Sequence, residues 1–194
     1  QELGSCTDCR RFWTELRAGN ITQDDYDSME ESIYRSPGHC MVAGTASTMS
    51  VISEAMGLTL KGAASIPAVD SRRLTLSNKT GQRIVEMVNE NIKIENFLKK
   101  ENFHNGISAL MSFGGSTNAI IHMLAIAGRT DVNIDLDDFN TISEKTPVIV
   151  NLKPAGEMLM EDLHYAGGVS GILKNIDDLI YKNVYTVSGE KISK

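Results

Sequence analysis

The run from Ala119 to Ala127 constrains this chain most, because it is apolar on nearly every face of a helix. A helix hydrophobic all round is normally buried, so the fold is expected to enclose it. His122 interrupts the run and Gly128 ends it, which leaves it well short of the roughly 20 residues that cross a bilayer. A chain of 194 residues can bury one respectable core around such an element. Its net charge of −6 argues against nucleic acid or an anionic membrane as the main partner. Three cysteines without framework spacing fit a reducing compartment, and the cytoplasm is the expected location.

Helix punctuation recurs along the rest of the chain. Ser5 or Thr7 can cap a first helix with Phe12, Trp13 and Leu16 on one side, closed by Gly19. Thr22, followed by Asp24 and Asp25, starts a second helix with Tyr26, Met29 and Ile33 facing inward. A third follows Cys40 to about Met56, with Met49, Ile52 and Met56 at core spacing and Gly57 as its stop. Gly62 to Asp70 reads as an irregular small-residue segment around Pro67. Further helices are expected around Gln82–Asn91, Asn105–Phe113, Glu157–Tyr165 and Val169–Asn175, and from Asp135 through Phe139 and Ile142. Pro147 to Leu152 carries Val148, Ile149 and Val150 in a continuous apolar run, which reads as a buried parallel-type strand. The expected fold is therefore α/β and helix-rich, with helices around a few short parallel-type strands; an almost wholly helical fold is the alternative. The first residue is not Met, and Val184 to Lys191 has a strand-and-turn pattern that stops abruptly, so the chain reads as a fragment of a longer polypeptide.

Cys40 stands on the turn Pro37-Gly38, directly ahead of the small residues Ala43 to Ser47. At a helix start, unpaired amides favour the thiolate, the form that ligates metal, and the small residues leave room for a bulky ligand. One cysteine cannot hold a metal centre, so its partners are expected elsewhere. Cys6 and Cys9 have C-x-x-C spacing, but without a second pair they read as two cysteines with no joint task. Gly114-Gly115-Ser116-Thr117-Asn118 opens a helix. It suits either an anion on the helix amides or plain capping by Ser116 or Thr117. His122 reads as a core histidine, and His104 and His164 lack neighbours of diagnostic spacing. Asp70-Ser71-Arg72-Arg73 is either a carboxylate clamp or an ion-paired loop, and Glu161-Asp162 faces either a cleft or solvent.

Four stretches taken in order resemble the dihydroxy-acid and sugar-acid dehydratase family, which includes 6-phosphogluconate dehydratase. They are Gly38-His39-Cys40-Met41 with Gly44 to Met49, Ala64 to Arg73, Gly114 to Ala127, and Thr146 to Gly168. The Gly-His-Cys-Met form is closest to the pentonate-type enzymes. The resemblance implies a hydro-lyase that converts an aldonic sugar acid to a 2-keto-3-deoxy acid, with dihydroxy-acid or 6-phosphogluconate dehydration, or a noncatalytic assembly module, as alternatives. It implies an iron–sulfur cluster, 2Fe–2S rather than 4Fe–4S, beside Mg2+, with Cys40 as one cluster ligand and His39, Ser116, Thr117 and Asn118 near substrate. The remaining ligands and the catalytic base would lie outside this chain, leaving no catalytic residue within it. The resemblance further implies that residues 1–183 are part of the family's N-terminal cluster-binding domain, with 184–194 leading to a second domain. The intact protein would be a homo-oligomer, dimer or tetramer.

Overall fold

Local capping sets the helix starts, and the computed structural model describes residues 6–34, 37–38 and 40–192. Of the two expected caps, Ser5 lies outside the described residues and Thr7 falls within the first helix rather than ahead of it. α1 (Cys6–Arg17) and α2 (Gln23–Ser32) pack against each other, with the Trp13 ring edge-on to Tyr26 at 5.9 Å. The Thr22 hydroxyl accepts the Asp25 amide and the Asp25 carboxylate accepts the Thr22 amide, a reciprocal capping box.

α3 (Thr45–Ala55) and α5 (Lys100–Phe113) are the central pair. Gly106 permits their approach, because a Cβ there would lie 2.8 Å from Met56 Cγ and 3.2 Å from Ile52 Cγ2. Each helix of the pair serves two cores. Val51 and Ala55 join Ala109 and Phe113 in a core completed by α8 (Met160–Tyr165) and α9 (Gly168–Asn175). Ile52 and Met56 join Phe103, Ile107 and Leu110 in the other, closed by α6 (Asn118–Ala127) and α7 (Leu136–Ser143). α4 (Ser71–Asn89) begins well before the expected Gln82, because Asp70 accepts the Arg72 amide and caps it; none of its residues is buried. Short 3-10 turns at Ile94–Asn96 and Asp177–Leu179 complete the helical elements.

Two expectations fail. The apolar run of α6 is not enclosed: Ala119, Met123 and Ala127 are buried, whereas Ile121 is 68% exposed and His122 lies at the surface. Ile120 and Leu124 pack partly against the same core, while Ile121, Ala125 and Ile126 face outward. The segment 147–152 is extended but forms no strand. Among the described residues the β pairing consists of isolated bridges, here Leu152 with Met158 in parallel sense. The neighbour of this segment is a helix end. The Ile149 amide donates to the Ser112 carbonyl (3.0 Å), one of the orphan acceptors of the last α5 turn, and Val148 stays exposed. The fold is helix-rich, and the parallel strands of the α/β expectation are absent among the described residues.

Residues 184–192 fold back on this body. The Val187 amide donates to the Gly57 carbonyl (2.8 Å) and Arg83 Nε donates to the Val187 carbonyl (2.6 Å). No helix among the described residues is long and apolar enough to cross a membrane.

Candidate active site around Cys40 and Thr45

Cys40 is half-buried in the segment that leads into α3. α3 starts at Thr45 with Gly44 as its N-cap, so Cys40 stands off the helix rather than at its mouth. Three other segments hold the Cys40 segment instead. Gly38 has φ +130°, and a Cβ there would come within 2.9 Å of Ala68 Cβ, so glycine alone lets the 62–70 loop lie against it. The Met41 carbonyl accepts the Met160 amide (2.8 Å), and the Ala43 amide donates to the Lys153 carbonyl (2.7 Å).

On one flank, the starts of α3 and α6 meet at Thr45. Its hydroxyl pairs with Ser116 Oγ (3.0 Å) and accepts a hydrogen bond from Asn118 Nδ2 (3.0 Å). One turn on, Thr48 Oγ1 accepts the Ser116 amide (3.0 Å). Gly115 makes this contact possible, because a Cβ there would lie 2.6 Å from Thr48 Cγ2. Of the anticipated residues, Ser116 and Asn118 are thus brought together, while exposed Thr117 makes no side-chain cap bond. His39 lies outside the described residues, as does the Cys6 side chain. Thr45 was hidden among small residues in the sequence, and its partners are more than 70 residues away, so no local signal marks it.

On the other flank, charged groups clamp the 62–70 loop. Buried Glu54 accepts the amides of Gly62 and Ala64, both at 2.8 Å. Burial pushes its carboxyl pKa up, against the pull of those two amides. Arg73 donates to the carbonyls of Ala63 and Ile66. Arg72 holds the Asp70 carboxyl well below the usual carboxylate range through its side-chain and backbone hydrogen bonds. Both arginines are therefore occupied within the loop, and the ion-paired reading of Asp70–Arg73 is the one the geometry supports. His164 Nδ1 meets Ser65 Oγ at 3.1 Å, giving this histidine a partner that its spacing in sequence did not suggest. Burial, then the Arg72 cation, pushes the His164 pKa down. Between residues 37–41 and the 62–70 loop lies a cleft of about 310 Å3, lined by Gly38, Met41, Ser65, Arg73, Met160 and Glu161; Cys40, Thr45, Ser116 and Asn118 are not among its lining residues. Glu161 therefore faces a cleft, while Asp162 is spent accepting the Leu159 amide (2.7 Å).

Elsewhere, His104 Nε2 lies 3.5 Å from Asp138, and burial pushes its pKa down more than Asp138 lifts it. Asp138 also accepts the Asp135 amide, closing the capping box at the start of α7. Among the described residues no three His, Cys, Asp or Glu side chains gather as a metal-binding group. Cys40 offers one thiol donor, and a single donor does not hold a metal centre.

Residues 2–194 match the family described as "Dihydroxy-acid/6-phosphogluconate dehydratase N-terminal". The chain is 48% identical over its whole length to a Rhizobium meliloti (strain 1021) protein that is a dehydratase by name, IlvD1, covering 34% of that protein. It is 44% identical to the L-arabinonate dehydratase of Rhizobium leguminosarum bv. trifolii (strain WSM2304), over 99% of this chain and 34% of that one. It is also 44% identical to the dihydroxy-acid dehydratase of Sulfurisphaera tokodaii, over 91% of this chain and 32% of that one. The chain thus spans about a third of the length of these curated relatives. Matched along almost every residue, including the four stretches that meet at Cys40 and Thr45, the chain belongs to the dihydroxy-acid/6-phosphogluconate dehydratase N-terminal family.

Proposed function

We propose that this chain is the cluster-binding part of a cytoplasmic, homo-oligomeric sugar-acid dehydratase that removes water from an aldonate of the L-arabinonate type to give a 2-keto-3-deoxy acid. The observation that carries the reading is convergence. Three stretches far apart in sequence meet the Cys40 segment: Ala68 against Gly38, Ser116 and Asn118 on Thr45, and one stretch that reaches Met41 through Met160 and Ala43 through Lys153. Packing alone would spread such stretches over the core. Their meeting beside a cleft of about 310 Å3 is what a reaction centre requires.

In this reading Cys40 supplies one thiolate to an iron–sulfur cluster, accompanied by Mg2+, and residues of the longer protein supply the other ligands and the base. When bound, such a cluster would act as a Lewis acid toward the departing hydroxyl. Thr45, Ser116 and Asn118 present hydroxyl and amide groups already oriented by one another, which suits the polyhydroxy body of an aldonate. Thr117 and His39 complete the proposed substrate-side group. The backbone clamps from Met160 and Lys153 fix the Cys40 segment, so its sulfur holds position during turnover.

The test is Cys40→Ser in the full-length protein, assayed on L-arabinonate with iron content measured in parallel. Turnover and bound iron are expected to fall together to background. Full activity in an iron-depleted variant overturns the reading.

A further inference from the structure

A second cleft lies away from the Cys40 flank, between the 57–61 turn, α4, α9 and the returning segment 184–192. It encloses about 540 Å3, within the range of small-molecule sites. Half-buried Leu60, Leu76, Leu173 and Ile180 line its floor. Lys61, Lys79, Lys174 and Lys191 stand at its exposed rim. The first three of these form no ion pair among the described residues, and Lys191 only donates to Asn183 Oδ1 (3.1 Å) and lies over the Tyr185 ring. Four cations at one opening are unexpected in a chain of net charge −6. Of the nearby acids, Asp177 is paired with Lys182, Glu54 attracts Lys61 while its oxygens accept the Gly62 and Ala64 amides, and Glu190 is exposed, so the lysines outnumber the acids left to face them. A buried hydroxyl, Thr59 Oγ1, lines the same space and has no hydrogen-bond partner among the described residues. A buried hydroxyl is ordinarily hydrogen-bonded, so this one calls for a partner from beyond the described residues.

We infer that this cleft is a second binding site, for an amphipathic anion whose hydrocarbon body lies on the leucine floor and whose carboxylate or phosphate head meets the lysines. The proposal uses none of the residues around Cys40 and stands whether or not that site is catalytic.

The experiment is calorimetric titration of the full-length protein with octanoate, octyl phosphate, octanol and inorganic phosphate. Octanoate and octyl phosphate are expected to bind saturably, the tighter of the two identifying the head group, with octanol and inorganic phosphate each at least roughly tenfold weaker. The triple variant Lys61→Gln/Lys79→Gln/Lys174→Gln should weaken octanoate binding about tenfold, the sum of a few exposed charge contacts. In the unmodified protein the affinity should fall as salt is raised. Octanol binding as tightly as octanoate, a salt-independent affinity, or no saturable binding because other parts of the protein fill the cleft would each overturn the proposal.

Discussion

Two irregular, small-residue segments flank the Cys40 segment, and they are held by opposite chemistry. Residues 114–118 are fixed by neutral groups, the hydroxyls of Thr45, Thr48 and Ser116 and the missing side chain of Gly115. Residues 62–70 are fixed by charge, the Glu54 carboxylate on two amides, the Arg73 guanidinium on two carbonyls, and His164 at the Ser65 hydroxyl. Hydroxyl contacts demand close approach and tolerate any pH, whereas buried charges reach across a looser loop and answer to protons. The same centre therefore has one steric wall and one titratable wall.

The largest effect should come from the charged wall. Glu54→Leu keeps the apolar stem but strands the Gly62 and Ala64 amides, at a cost of roughly 3 kcal/mol because each loses a bond to a carboxylate. The thermal midpoint should drop, and hydrogen exchange should quicken at those two amides before it does in α6. Equal loss of protection in both flanks would erase the distinction. On the steric wall, Gly115→Ala should cost about 2 kcal/mol through overpacking against Thr48 Cγ2. Adding Thr48→Ser removes that methyl while keeping the hydroxyl for the Ser116 amide, but Thr48 Oγ1 and Leu110 Cδ1 would still lie 2.9 Å from the new Cβ, so only part of the loss should return. Full recovery would mean that the methyl alone sets the need for glycine.

Thr45→Val tests the hydroxyl hub with a smaller change, about 1 kcal/mol of stability, since both of its side-chain bonds are partly exposed. In the full-length enzyme the sharper readout is KM for the aldonate, which should rise in the valine variant and recover in Thr45→Ser. An unchanged KM would leave this flank with packing alone.

What the sequence showed of these walls follows from the range of each interaction. Helix caps act over three residues, so the starts at Thr22 and Asp135 were legible, as were the stops at Gly19 and Gly57. Cys40 and the Ser116–Asn118 turn stood out because their residue types are chemically suggestive at short range. Thr45 did not, since its meaning is conferred by Ser116 and Asn118 from the far side of two helices. Glu54 reads locally as one more polar helix position, and only the loop folding over it makes it a buried acceptor. The error over α6 has the same origin. Hydrophobicity states which side chains favour burial, while the neighbours available decide which obtain it, and Ile121 has none among the described residues that covers it.

The smallest effect is the one most specific to the titratable wall. Burial and the Arg72 cation disfavour the His164 imidazolium, with Arg73 acting in the same sense and Asp70 and Glu161 opposing. The folded pKa therefore lies below the ordinary 6.5, and between the two values the unfolded chain binds more protons than the native one. The contribution of His164 is complete above pH 6.5 and is lost as pH falls through its folded value. Glu54 runs the other way, because its raised pKa adds stability at low pH that is lost as pH rises above the ordinary 4.5. The two trends overlap, so the measurement must be a difference. His164→Asn retains an acceptor for Ser65 and removes the titration. Compared by denaturant unfolding at pH 7.5 and at pH 5.5, the variant should lose less stability on acidification than the unmodified protein, whereas Gly115→Ala should shift both values equally. A His164→Asn protein with an unaltered pH difference would show that the imidazole is already solvated in the native state, and the loop would then be held by Glu54 and Arg73 alone.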